Sequence, residues 1–252
     1  MSRGGFALLA VLWVIAALAG IVGLGVGLMR VESLGSSNRL RLERARWSAE
    51  ACLAIAQARW VEHSMPDTAT IDLGRTTACR WRVDDPTARV NANTAPAAML
   101  VSLGLPVAVA ESLVAHRPYQ DTAELRSRLG PDSGLESLLT VDGPGTVDLN
   151  AASPAVLRAI PGVGSEAAER LAEFVRLGRP VSSLDQLVSV ATGERSALLA
   201  HYADLSSLVT FAPAQLVITA TGQVGGEEPH ATVEELVVPL PDRLAVIRRR
   251  LW

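Results

Sequence analysis

The sequence predicts an α+β protein in which a long N-terminal helix packs on a small antiparallel sheet and a large all-α block is inserted between the strands. Three observations predict it. A charge-free apolar run near the start of the 252-residue chain continues into an amphipathic helical pattern. Strand-like alternation occurs once before and once after a stretch of short, punctuated helical segments. Within that helical stretch the sequence repeats itself.

The first element is the apolar run. Phe6 to Met29 carries no charged residue and exceeds the roughly 20 residues that a helix needs to cross a bilayer. Residues 6–29 therefore read as a transmembrane helix. A cleaved secretory signal is the competing reading, because Ala17, Ala19 and Gly20 imitate a small-residue cleavage site. Arginines give no support to an exported body: only Arg3 precedes the span, whereas Arg30, Arg39, Arg41, Arg44 and Arg46 follow it, which by the positive-inside rule places the body in the cytoplasm.

Residues 30–64 form an amphipathic stalk helix, with Ala45, Ser48, Cys52, Ile55 and Ala56 at helical spacing and "GSSN" at 35–38 interrupting or loosening it. Met65-Pro66-Asp67 ends the helix. "ATIDL" and "ACRWRVDD" then alternate as strands do, giving a first β segment over 65–87 closed by Pro86.

The helical block spans 88–205 and contains two repeats, 88–130 and 145–190. "VNANTAPAAML" at 90–100 returns as "VDLNAASPAVL" at 147–157, "AESL" at 110 as "AERL" at 168, and "RPYQDTAEL" at 117 as "RPVSSLDQL" at 179. The offset widens from 57 to 58 to 62, as two copies of one unit show when their turns gain residues. Residues 206–252 return to strands: "AQLVITATGQV", the turn "GGEEP", "ATVEELVVPL" and "LAVIRRRLW" read as a hairpin and a last strand.

The sharpest local motif is "SPAVLRAIPGVGSEAAERLAEFV" in the second repeat. Ser153 caps a helix with Pro154 at its first position, Pro161-Gly162 stops it, and Gly164-Ser165 turns the chain and caps the next helix. "IPGVG" followed by "AAERL" resembles a helix-hairpin-helix motif; in the first repeat the turn is "LGLP". Such hairpins often bind DNA phosphates through backbone N–H groups at the helix start. Glu166 and Glu169 in the first turn repel a phosphate, so a packing module is the favoured reading. Net charge of −3, with every basic residue an arginine, supplies no overall field for nucleic acid.

Other chemistry is excluded by spacing. Gly162-x-Gly164-x-x-Ala167 follows a helix and lies outside any βαβ unit, so it is not a dinucleotide site. His63, His116, His201 and His230 stand alone, without a metal or triad pattern. "GPDSGLES" at 130–137 and "VDGPG" at 141–145 contain oxygen ligands for calcium but lack its loop spacing and read as turns. Cys52 and Cys79 have no Cys-x-x-Cys or histidine neighbours; a bridge and two buried thiols remain equal alternatives.

Taken together, "RGGF" before the span, the stalk, the strands, the duplicated insert opening on "VNANTAP" and the C-terminal β region resemble the general secretion pathway protein K family, minor pseudopilins of bacterial type II secretion. The resemblance implies a pilin-like fold and a non-enzymatic role at the pseudopilus tip. It implies cleavage by prepilin peptidase between Gly5 and Phe6, N-methylation of Phe6, an inner-membrane anchor and a periplasmic body, against the arginine count. An oxidising compartment would favour a Cys52–Cys79 bridge. Ala10 stands at the fifth position from Phe6, where most pilin-like subunits carry a glutamate thought to pair with the neighbouring subunit's amine; its absence suits a subunit with nothing ahead of it. Implied partners are minor pseudopilins of the I and J types through the N-terminal helices, and the inner-membrane secretion platform. No cofactor is required; some members bind calcium in the helical domain, with no ligands assignable here. A membrane-anchored helix-hairpin-helix protein of DNA uptake is the alternative.

Overall fold

A computed structural model describes residues 3–74, 76–130, 134–225 and 227–252. Helix α1 (Arg3–Val61) runs for 59 residues without interruption, about 90 Å at the rise of an α-helix. The "GSSN" stretch, expected to interrupt or loosen it, is helical throughout. The Ser36 hydroxyl donates to the Glu32 carbonyl at 2.9 Å, so the serine joins the helix instead of competing with it. One glycine, Gly35, costs only about 1 kcal/mol, less than nucleating a new helix. α1 stops where His63 takes φ +54°. The Ser64 N–H reaches back to the Arg59 carbonyl and the His63 N–H to that of Trp60, each at 2.9 Å. That left-handed cap, followed by Pro66, ends the helix three residues before the expected 64.

The C-terminal third of α1 lies on a sheet of β1 (Thr68–Gly74), β2 (Thr77–Asp84), β7 (Leu216–Val224), β8 (Glu227–Leu240) and β9 (Arg243–Leu251), in that spatial order. Every neighbouring pair is antiparallel. β2 and β7 are adjacent in the sheet although the whole insert separates them in sequence, so the insert enters and leaves at neighbouring points of one sheet end. Ala49, Cys52, Leu53 and Ala56 of α1 bury against Cys79, Trp81, Ile218, Ala220, Val233 and Val237. Small residues on the helix allow close approach. A Cβ on Gly222 would stand 2.0 Å from the Ala45 carbonyl oxygen, so β7 touches the helix backbone there. Indole N–H groups fasten the ends: Trp60 donates to the Leu240 carbonyl at 2.8 Å and Trp81 to that of Pro66 at 3.1 Å.

The insert forms its own core. Its first repeat contains β3 (Val90–Asn91), α2 (Ala97–Ser102), α3 (Val107–Ala115), α4 (Thr122–Leu129) and β4 (Leu139–Thr140). The second contains β5 (Val147–Asp148), α5 (Pro154–Ala159), α6 (Ser165–Arg176), α7 (Leu184–Val190), α8 (Arg195–Ala200), α9 (Tyr202–Leu208) and β6 (Val209–Thr210). Two features depart from the sequence reading. The block is helical but not purely so, because β3 pairs in parallel with β4, and β5 with β6. Each repeat therefore closes only at its last strand, well beyond 130 and 190, and the C-terminal sheet resumes at Leu216 rather than 206. The turn of the following hairpin is at Gly225, and Glu228 and Pro229 already belong to β8.

Candidate functional site

The duplicated hairpin is built from matched positions. Leu100, Leu103, Leu105, Ala110 and Leu113 are buried in the first repeat, and Leu157, Ile160, Val163, Ala168 and Leu171 occupy the corresponding places in the second. The "LGLP" turn therefore folds like "IPGVG" despite its different sequence. Gly104 and Gly162 both take positive φ, +103° and +82°. At Gly162 a side chain would also press on the Ala197 carbonyl and on His201.

An asparagine closes each repeat. Asn93 Nδ2 donates to the Tyr119 and Val141 carbonyls at 3.0 and 3.3 Å, and its Oδ1 accepts the Tyr119 N–H at 2.7 Å. Asn150 Nδ2 donates to the Val181 and Phe211 carbonyls at 2.8 and 2.9 Å, and its Oδ1 accepts the Val181 N–H at 2.8 Å. The next helix of each repeat is capped reciprocally. Asp121 accepts from the Glu124 N–H while Glu124 accepts from that of Gln120; Ser183 and Gln186 do the same with Ser182.

At the start of α6, where a helix-hairpin-helix presents N–H groups to phosphate, the chain supplies its own anion. Glu194 accepts from the Gly164 N–H at 2.8 Å and from the Glu166 and Ala167 N–H groups at 3.3 Å. Gly164 approaches that carboxylate so closely that a Cβ would overlap it. Ser165, expected to cap the helix, is instead its first residue; the cap comes from thirty residues further along the chain. Glu166 pairs with Arg170 at 2.7 Å and Glu169 with Arg158 at 3.3 Å. In the first repeat Pro106 stands where Gly164 does and lacks the N–H altogether. A phosphate entering the second hairpin would have to displace Glu194 and face the charge of Glu166.

The remaining site residues fall in separate places. Gly5, Phe6 and Ala10 lie on the opening turns of α1, and their side chains, like Met1 and Ser2, lie outside the described residues. Between Val11 and Met29 the described large apolar side chains of α1 are exposed, with Trp13, Leu24 and Met29 each 72% exposed. The mean hydropathy of 2.4 makes this a helix long and apolar enough to cross a membrane. Cys52 and Cys79 are bonded, with their Cα atoms 5.9 Å apart, and so join α1 to β2. Of the two stretches with calcium-type oxygens, residues 131–133 lie outside the described residues. In the other, Asp142 is held by Arg248 at 2.6 and 3.1 Å, and the Asp142 and Gly143 carbonyls accept from Asn91. Among the described residues no group of three or more His, Cys, Asp or Glu is placed to hold a metal.

Comparison with known proteins gives two findings. Residues 144–194 match the helix-hairpin-helix motif family, a segment that ends on the capping Glu194. Over most of its length the chain is similar in fold to a chain in the crystal structure of the GspK-GspI-GspJ complex from the type 2 secretion system of enterotoxigenic Escherichia coli. The TM-score is 0.58 at 14% identity, covering 89% of this chain and 99% of that one. No curated protein sequence matches significantly. The chain thus shares its fold with a chain of that secretion complex and carries a helix-hairpin-helix motif in its inserted domain.

Proposed function

We propose that the chain is a non-enzymatic minor pseudopilin of the protein K type, acting at the tip of a type II secretion pseudopilus. The carrying observation is the whole-chain order of parts. A single apolar helix continues into a stalk, the stalk packs on a sheet, and a helical insert with its own core interrupts that sheet between β2 and β7. That arrangement matches the secretion-complex chain over 99% of its length. In this reading prepilin peptidase cuts between Gly5 and Phe6, the new amine of Phe6 is methylated, and α1 anchors the protein in the bacterial inner membrane with its body in the periplasm. Ala10 leaves the subunit without a carboxylate to offer a neighbour ahead of it, which suits the end position. Its partners are minor pseudopilins of the I and J types, contacted through α1, and the inner-membrane platform.

The helix-hairpin-helix match favours a second reading, a membrane-tethered DNA-binding protein. Glu194 weighs against it, because the N–H groups that would hold phosphate already hold a carboxylate.

The mass of the N-terminal peptide from the native membrane tests the proposal. A start at methylated Phe6 is expected, whereas an intact Met1 or a cut near Gly20 overturns it. Duplex DNA at low salt tests the alternative: micromolar binding that falls steeply as salt rises would favour it.

A further inference from the structure

The two repeats differ at one position in a way that hydrogen bonding does not balance. Asn91 in β3 corresponds to Asp148 in β5. Both accept the N–H two residues on, Asn93 to Asn91 at 2.8 Å and Asn150 to Asp148 at 2.9 Å. Asn91 then spends its amide on two carbonyls. Asp148 has no amide; its carboxyl lies within hydrogen-bonding reach of the Asp85 carboxyl.

Asp85 sits where the chain leaves β2 for the insert. Its Oδ1 accepts from the Thr87 N–H at 2.7 Å and from the Thr87 hydroxyl at 2.5 Å. Its Oδ2 is sealed from water and has no donor. Asp148 is 2% exposed. Half-buried Asp85, whose Oδ2 is sealed and unpartnered, and buried Asp148 repel when both carboxyls are ionised, and one proton between them supplies the missing donor. The charged neighbours do not replace it. Asp84 and Arg89, on either side of the Pro86–Ala88 turn, pair with each other, and β6, which pairs with β5, carries only Val209 and Thr210.

We propose that Asp85 and Asp148 share a proton that locks the second repeat onto the exit of β2, and that its loss as pH rises loosens this junction. Burial, with the Asp85 carboxyl beside it, raises Asp148 to about 6, and the Asn150 N–H opposes that rise. Asp85 is raised as well, chiefly by burial. For an acid whose folded pKa is raised, the native state holds more protons than the unfolded chain between the unfolded value of 3.8 and about 6. Stability therefore falls as pH rises through that window and stays lower above it. The first repeat, with Asn91 in place, has no such dependence.

The test is thermal unfolding of the full chain in detergent from about pH 4 to 7.5, for the wild type and Asp148→Asn, whose amide can donate to Asp85 as the proton does. The variant's midpoint is expected to rise above the wild type's by roughly 3–6 °C across the window; a difference that does not change with pH overturns the proposal. Should the variant fail to fold, infrared spectroscopy of the wild type decides. A protonated-carboxyl band at about pH 5 that disappears by about pH 7.5 supports the lock, and its absence at about pH 5 overturns it. A midpoint above pH 7 that rises with calcium in the wild type but not in Asp148→Asn would also overturn it, assigning the pair to a cation instead.

Discussion

Glu194 caps α6 from 30 residues away, satisfying N–H groups that otherwise have no partner at a helix start. Replacing it with alanine removes an ionised acceptor from three donors and leaves a half-closed turn over Gly164. The expected cost is about 1–2 kcal/mol in denaturant unfolding, with less lost for Glu194→Gln, which keeps the shape without the charge. A midpoint unchanged in both variants would refute the cap. The acidic character of this turn is already legible in Glu166 and Glu169, but the residue that fills the anion position is not, because no local pattern ties "TGE" at 192–194 to "GVGS" at 162–165.

At the scale of elements, the sequence repeat marks the hairpins and their caps, since Ser153, Asp121 and Ser183 act within three residues of themselves. The reach of the repeat is set differently. Asn150 bonds to Phe211, 61 residues on, and Asn93 to Val141, 48 residues on. Each asparagine ties the start of its repeat to the end, which is why the structural units outlast the visible sequence similarity. Asn93→Ala and Asn150→Ala should cost a similar amount, about 2–4 kcal/mol each, because both leave part-buried backbone groups unpaired. Calorimetry on the two variants checks this, and a large asymmetry would count against equivalent roles.

At the scale of the molecule, three parts must stay together: the anchor, the sheet and the insert. Cys52–Cys79 joins the first two across 27 residues, a loop whose closure contributes about 3–4 kcal/mol. The Cys52→Ser/Cys79→Ser double variant should melt lower by roughly 6–12 °C, and reductant should bring the wild type down to the same midpoint. A wild type indifferent to reductant would argue that the two sulfurs are not bonded. Arg248 to Asp142 and Arg250 to the Gln120 carbonyl hold the first repeat to β9, while the Asp85 and Asp148 carboxyls meet where the second repeat adjoins β2. The insert is thus fastened at one side by an ion pair and a hydrogen bond and, in the proposal above, at the other by a shared proton.

The sequence by itself determined the long apolar helix, the small-residue face at Ala45, Ser48 and Cys52, the strands on either side of the insert, and the doubled hairpin. Those features are periodic or local: they depend on residues two to four apart, and covalent geometry delivers such neighbours to one another whatever the rest of the chain does. It misjudged "GSSN" because the cost of breaking a helix depends on its whole length. Only the tertiary structure decided that Cys52 meets Cys79, that Glu194 fills the anion position of the hairpin, and that Asp148 faces Asp85. Each of these contacts joins segments brought together by packing of the two cores, and packing is a property of the assembled elements rather than of any short stretch within them.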